Sequence, residues 1–106
     1  MEFLVYITVQ WPPDGDDAAR TRLMAEEMKR ADELVKQGVL RRLWRVPGEW
    51  ANVGLWSAPD ATTLHEAIAS LPLFLWLRVK VQPLASHPSD PGQPPGATSE
   101  WLSSQT

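Results

Sequence analysis

The chain has 106 residues, no cysteine, a net charge of −3 and a pI near 5.3, which fits one small domain. The acidic balance argues against a nucleic-acid surface, which needs a stripe of basic residues, and the absence of cysteine excludes disulfides and thiolate metal sites. No apolar run approaches the roughly 20 residues of a membrane span, and the N-terminus lacks the basic region of a signal peptide, so we expect a cytoplasmic protein without membrane contacts.

Alternating residues predict a strand near the start of the chain. Between residues 3 and 11, apolar side chains occupy every odd position, which is the pattern of a half-buried strand. Pro12 and Pro13 end this strand, because proline cannot donate a hydrogen bond to a sheet. Helix-forming residues follow over 17–37, and Gly38 is well placed to end that helix.

A hairpin, a second helix and a last strand are predicted next. Pro47-Gly48 lies between two strand-like segments and predicts a tight two-residue turn. Asp60 has the side chain of a helix N-cap. The predicted segments are strands at 39–46 and 49–56, a helix at 61–70 and a strand at 75–83.

The order βαββαβ is that of the ferredoxin-like fold. It predicts an α+β domain with a four-stranded antiparallel sheet and both helices on one face. The other face carries Arg78, Lys80 and Gln82 beside Tyr6, so it is either solvated or used against a partner. Six tryptophans in so short a chain favour association, since this residue type is enriched at interfaces.

The C-terminal part differs in composition from the rest. We expect the domain to span residues 1–89, and residues 90–106 to form a tail rich in proline, glycine and serine. One interpretation is that residues 91–106 are disordered. The alternative is an arm that lies over a neighbouring subunit, with Trp101 as its anchor.

Glu27 is the most informative position for function. At about 100° per residue, it falls about 40° from Leu23, inside the apolar arc of the first helix, whereas Glu26 and Glu33 fall outside. A carboxylate that faces a core is costly unless it is paired or its pKa rises, and a raised pKa suits a general base near neutral pH. The alternatives are a position at the edge of the arc or a packing role in a pair with Arg45.

Arg45 is the second candidate. With a two-residue turn at Pro47-Gly48, Arg45 would face Trp50 across the hairpin and Leu43 would face Asn52. Arg45, Trp50 and Asn52 would then share one sheet face and offer a planar fork, an apolar wall and a neutral donor to a small organic anion. A cross-strand cation–π pair on a solvated face is the alternative.

This register conflicts with the position of Glu27. It places Trp44, Val53 and Leu55 on the opposite face, which looks more like the core side, and so it separates Arg45 from Glu27. A bulge or a longer turn would bring the two together, because a slip of one residue moves every side chain to the other face.

The two histidines are weaker candidates. His65 and His87 are far apart in sequence and lack the spacing of metal ligands, so we expect no metal site. His65 fits a surface or packing role in the second helix. His87 follows the last strand, where the chain could cross to the pocket of a partner.

Matches spread along the chain then identify a family. From about residue 3 to residue 89 the sequence resembles muconolactone Δ-isomerase and the related chloromuconolactone dehalogenases. The residues that carry the resemblance are Thr8-Val9, Pro12, Glu27, Gly38, Leu43-Trp44-Arg45, Gly48, Ala51-Asn52, Leu64-His65, Leu71-Pro72-Leu73-Phe74 and His87-Pro88-Ser89.

The resemblance implies an enzyme of aromatic catabolism that needs no cofactor. It implies a ferredoxin-like subunit that forms intimate dimers, assembled into a decamer. The reaction is a 1,3-proton shift that converts muconolactone, a small lactone carboxylate, to 3-oxoadipate enol-lactone. Glu27 would move the proton, Arg45 would hold the carboxylate or the developing enolate, and Asn52 would donate to the lactone oxygen. Trp44, Trp50 and His87 would complete the substrate-binding residues.

Two departures from the family pattern leave a second interpretation open. The family usually has His-Tyr where this chain has Glu49-Trp50, and a proline after the phenylalanine where this chain has Leu75-Trp76. These changes add indole bulk near the expected pocket. The alternative is therefore a repurposed member that binds small molecules or serves assembly, or an enzyme for a bulkier lactone, including a dehalogenase-type elimination.

Overall fold

A computed structural model describes residues 1–92. The predicted tail lies almost entirely in residues 93–106, so the expectations for it, including an anchor at Trp101, lie outside the described residues. The elements are β1 (Glu2–Val9), α1 (Asp17–Lys36), β2 (Leu40–Arg45), β3 (Ala51–Ser57), α2 (Ala61–Ala69), a short 3-10 turn (Phe74–Trp76) and β4 (Leu77–Leu84).

Local signals in the sequence set the ends of both helices. The carboxylate of Asp16 accepts a hydrogen bond from the Ala18 amide at 3.0 Å and caps α1. Asp60 caps α2 in the same way, through the Thr63 amide at 2.7 Å. Gly38 has φ +76°, a backbone conformation that few other residues adopt, and it follows the end of α1 as predicted.

The four strands form one antiparallel sheet in the order β2-β3-β1-β4, which is the predicted ferredoxin-like topology. Phe3, Val5 and Ile7 of β1 are buried in a single core together with residues of both helices. Both helices therefore cover the same face of the sheet, which we call the helix face. Among residues 1–92, no helix is long and apolar enough to cross a membrane.

The opposite face, which we call the open face, carries the polar strand residues predicted for it. Tyr6 pairs with Lys80, Leu4 with Gln82 and Thr8 with Arg78. Directly paired residues share a face of a sheet, so these side chains stand together. The Tyr6 hydroxyl donates to the Glu49 carboxylate at 2.9 Å, and this bond raises the pKa of Tyr6.

The predicted two-residue turn between β2 and β3 is wrong. Pro47 and Gly48 are the central residues of a turn, in which Gly48 has φ +79° and the Glu49 amide donates to the Val46 carbonyl at 3.3 Å. This is the type II pattern, whose twist does not suit a two-residue hairpin. The connection is longer, and pairing resumes where the Val46 amide donates to the Ala51 carbonyl at 3.1 Å.

The longer connection changes the register of the whole hairpin. Arg45 pairs with Asn52 and Leu43 with Gly54, instead of the expected Trp50 and Asn52. A bulge between Leu40 and Arg42 keeps Leu40 on the helix face as well. The shift is of two residues, so Arg45 and Asn52 stay on one face. Asn52 pairs with the buried Ile7 of β1, so this face is the one that the helices cover, and the conflict with the position of Glu27 is removed.

Candidate active site

A cavity of about 550 Å³ lies between α1 and the helix face of the sheet. Its wall is mostly apolar, and of the lining residues within 1–92 only Glu27, Arg45 and Asn52 carry charged or amide side chains. The other lining residues are Ile7, Val9, Met24, Met28, Ala31, Leu40, Leu43, Trp44, Trp50, Ala51, Trp56, Leu71, Leu73 and Leu77.

Glu27 reaches the cavity from the middle of α1, as the helical wheel predicted. Its side chain is half-buried, and Oε1 accepts a hydrogen bond from the Leu73 amide at 3.1 Å. Burial raises the pKa of Glu27 and outweighs the Leu73 amide, which acts to lower it. This bond also ties α1 to the segment between α2 and β4, so Glu27 is held in place from two elements.

Arg45 and Asn52 form the sheet side of the cavity. They are direct partners across the β2–β3 ladder. Among residues 1–92, neither Glu27 nor Arg45 takes part in an ion pair. The alternative from the sequence, in which Glu27 pairs with Arg45 for packing, is therefore wrong. The cavity therefore presents a guanidinium and a carboxyl group that do not neutralise each other directly.

Two buried polar atoms in the cavity wall have no hydrogen-bond partner among the described residues: Asn52 Oδ1 and Trp56 Nε1. Both side chains belong to β3 and lie on its helix face, on either side of Gly54. A Cβ atom on Gly54 would lie only 2.7 Å from Trp56 Nε1, so the indole lies directly over this glycine. Buried polar atoms without partners are uncommon and often mark functional sites.

The two predicted tryptophans contribute in different ways. Trp50 lines the cavity from the β2–β3 connection, with the Arg20 guanidinium 5.9 Å from its ring centroid. Trp44 also borders the cavity, but its register places its side chain on the open face, where Arg42 lies 4.9 Å from its ring. We therefore expect the backbone of Trp44, and not its indole, to form the cavity wall.

The histidines lie away from this cavity. His87 follows β4 at the end of the sheet where Leu84 pairs with Glu2, and it is not among the residues that line the cavity. Its Nδ1 accepts a hydrogen bond from the Ser89 amide at 2.9 Å. Within its own chain His87 is not part of the site, and a role in the pocket of a partner stays a prediction. His65 packs edge-on against Phe74, which agrees with a packing role.

Sequence reasoning missed two groups in the cavity, the Leu73 amide and the Trp56 indole. A backbone donor has no sequence signal of its own, so the Leu73 contact could not have been found. Trp56 lies an even number of residues from Asn52, so the same two-residue period that grouped the other candidates would have placed it on their face.

Comparison with known proteins decides the family. Residues 1–90 match the family model described as muconolactone delta-isomerase. The chain belongs to this family. Muconolactone Delta-isomerase of Pseudomonas aeruginosa is 39% identical over 89 residues, which are 84% of this chain and 93% of the relative. The protein of the same name from Rhodococcus opacus is 33% identical over 88 residues, covering 83% of this chain and 95% of the relative.

A solved structure supports membership of the muconolactone isomerase family at the level of the fold. The crystal structure of muconolactone isomerase, at 3.3 Å resolution, superposes with a TM-score of 0.82 and 37% identity, covering 89% of this chain and 98% of that chain. The family and the fold class predicted from the sequence are thus confirmed.

Proposed function

We propose that this chain is a muconolactone Δ-isomerase and that the cavity under α1 is its active site. The observation that carries the proposal is that one apolar cavity holds a half-buried carboxyl group and a guanidinium that do not form an ion pair. Its family membership supplies the reaction class, an isomerisation that shifts a double bond in aromatic catabolism.

Glu27 is the proposed base. The reaction removes the ring proton at C4 of muconolactone, which leaves a dienolate, and returns a proton at C2. A carboxylate with a raised pKa is a stronger base than one in water, and a pKa nearer neutral lets the same group take up a proton in one step and return it in the next. The Leu73 amide fixes one oxygen of Glu27, so the other is free to reach the substrate.

Arg45 and Asn52 are the proposed anion-binding groups. A guanidinium binds a carboxylate in a planar fork, which suits the acetate side chain of the substrate. The amide of Asn52 is a neutral donor for the lactone oxygen on which charge develops. Donors of this kind act most strongly in a cavity that excludes water, and the apolar wall supplies that condition.

The indole-rich wall of the cavity favours a substrate that is larger than muconolactone. Trp50 borders the cavity at the position where the family usually has tyrosine, and Trp56 forms part of its floor. A lactone larger or more aromatic than muconolactone would use these surfaces, and elimination of a halide from a substituted lactone needs the same base. The non-catalytic alternative, a small-molecule binding or assembly protein, makes no use of a raised pKa at Glu27.

We also propose that the protein acts as a homo-oligomer built from dimers, with a decamer as the expected assembly. Several apolar side chains that line the cavity are exposed, including Met28 at 74% and Leu43 at 52%, and a patch of this kind is typical of an interface between subunits. No metal or cofactor takes part in the proposed reaction. A cytoplasmic location is proposed on the grounds of the sequence.

Turnover of muconolactone tests the proposal directly. The purified protein is mixed with muconolactone in D₂O, enol-lactone formation is followed by absorbance, and the product is analysed by NMR. We expect catalytic turnover, with the proton at C4 lost and hydrogen or deuterium delivered to C2. If the protein does not turn over muconolactone but does turn over a bulkier or halogenated lactone, the proposal of a larger substrate is supported. If the protein binds these lactones but turns over none of them, the non-catalytic alternative is supported.

A further inference from the structure

We propose that the Trp56 indole N–H donates a hydrogen bond to Asn52 Oδ1 across Gly54 and thereby turns the amide nitrogen of Asn52 toward the ligand. Trp56 is then a positioning residue. This inference rests on the proposed function, because it explains how the site presents donors to a substrate that offers only acceptors.

The placement of the three residues on β3 supports the bond. Side chains two positions apart on a strand share a face and start roughly 7 Å apart. The Trp56 ring is 2% exposed and folds back along the strand until its Nε1 lies over Gly54, where the missing side chain leaves room. The indole thus spans much of the distance toward Asn52, and a rotation of the amide side chain closes the rest.

The hydrogen-bonding capacities of the Trp56 indole and the Asn52 amide also support the bond. An indole nitrogen only donates, and Asn52 Oδ1 only accepts. Both atoms are buried without a partner among residues 1–92, and a buried polar atom that stays unpaired is costly. The two atoms need complementary partners, and their side chains lie on the same face of β3, two positions apart on either side of Gly54.

The Asn52 amide nitrogen is the group that this hydrogen bond would present to a ligand. Asn52 Nδ2 makes no hydrogen bond to residues 1–92 and is not fully enclosed, so it is accessible to a ligand in the cavity that Asn52 lines. A lactone carboxylate carries only acceptor oxygens, which the Asn52 oxygen would repel and its nitrogen would bind. A donor that holds Oδ1 fixes the orientation that the reaction needs.

Trp56→Phe tests the role in catalysis, because phenylalanine keeps an aromatic ring and lacks the N–H. We expect kcat to fall about tenfold, as for the loss of one hydrogen bond, with KM changed less than about twofold. Trp11→Phe is the matched control: Trp11 Nε1 is also buried without a partner among residues 1–92, but Trp11 packs at a tilt against Trp76 and does not line the cavity. The control is expected to keep the kcat of the wild type.

A double-mutant cycle separates positioning from a general loss of structure. In an Asn52→Ala background, Trp56→Phe is expected to lower kcat no further, because the amide that it orients is gone. A wild-type kcat in the single variant Trp56→Phe, or a further tenfold loss in the Asn52→Ala background, would overturn the inference.

NMR tests the bond without any activity. The indole N–H signal that disappears in Trp56→Phe identifies Trp56 in the ¹H–¹⁵N spectrum. We expect this proton to shift upfield in Asn52→Ala, which removes the acceptor, and downfield in Asn52→Asp, which supplies a stronger one. Shifts of the same sign, or no shift, would refute the bond. If the wild type fails to turn over muconolactone while these shifts appear, the proposed function is wrong and the hydrogen bond remains.

Discussion

Arg45 pairs directly with Asn52 across the β2–β3 ladder, and this pairing puts both side chains on the face of the sheet beneath Glu27. A two-residue turn at Pro47-Gly48 would have placed Arg45 opposite Trp50 instead. Either register keeps Arg45 and Asn52 on one face, and the pairing of Asn52 with the buried Ile7 of β1 makes that face the one that the helices cover. The predictions below test the members of that site one at a time.

Glu27→Gln should abolish most of the activity and leave the fold unchanged. Glutamine keeps the acceptor for the Leu73 amide but cannot take up a proton, so we expect kcat to fall by roughly 10²–10⁴-fold. Steady-state kinetics and circular dichroism measure the two effects. Glu26→Gln is the control, because Glu26 is the exposed neighbour on the same helix. Near-normal kcat in Glu27→Gln would exclude Glu27 as the base.

The same substitution should stabilise the protein in a pH-dependent way. Burial raises the pKa of Glu27 in the folded state, so the native protein binds this proton more tightly than the unfolded chain does. The resulting stability is full below the unfolded pKa, about 4.3, and is lost as the pH rises through the folded pKa. Glutamine does not ionise, so Glu27→Gln avoids this loss of stability as the pH rises.

Thermal denaturation of Glu27→Gln and wild type across the pH range checks this sign. The two melting temperatures should agree near pH 4 and diverge toward neutral pH, with the variant higher. Glu26→Gln, at an exposed position of the same helix, is the control. A variant that is less stable than the wild type at pH 7 would contradict the desolvation of Glu27.

Arg45→Lys should weaken the enzyme although it conserves the charge. Lysine lacks the planar fork, so we expect kcat/KM to fall by about 10- to 100-fold, in line with the loss of a hydrogen bond to a charged group. Arg42→Lys is the control, since Arg42 lies on the open face against Trp44. Equal losses in the two variants would point to overall charge steering and not to binding by Arg45.

Gly54→Ala should destabilise the protein, because the added Cβ would lie 2.7 Å from Trp56 Nε1 and 3.3 Å from the Arg42 carbonyl oxygen. Such overpacking costs about 1–3 kcal/mol of unfolding free energy. Urea denaturation measures it. Gly92→Ala is the control, because within residues 1–92 its Cβ would meet only the side chain of Asp90. Equal stability of the wild type and Gly54→Ala would show that the indole does not lie over this glycine.

The local sequence determined the elements and their order. Alternation, the caps Asp16 and Asp60, and Gly38 act over a few residues, so each strand and helix could be placed to within a few positions of its observed ends. Glu27 could be found for the same reason, since its direction depends only on the period of its own helix. Spaced matches along the chain were sufficient to predict the family.

Only the tertiary structure decided how the site is assembled. The register of β2 against β3 depends on the twist of the turn at Pro47-Gly48 and on a bulge, and the face of the hairpin that meets α1 depends on how β3 pairs with β1. The Leu73 amide meets Glu27 across 46 positions of sequence, and the Trp56 indole reaches its place only because Gly54 leaves space beneath it. These are contacts between elements, and a pattern within one element carries no information about them.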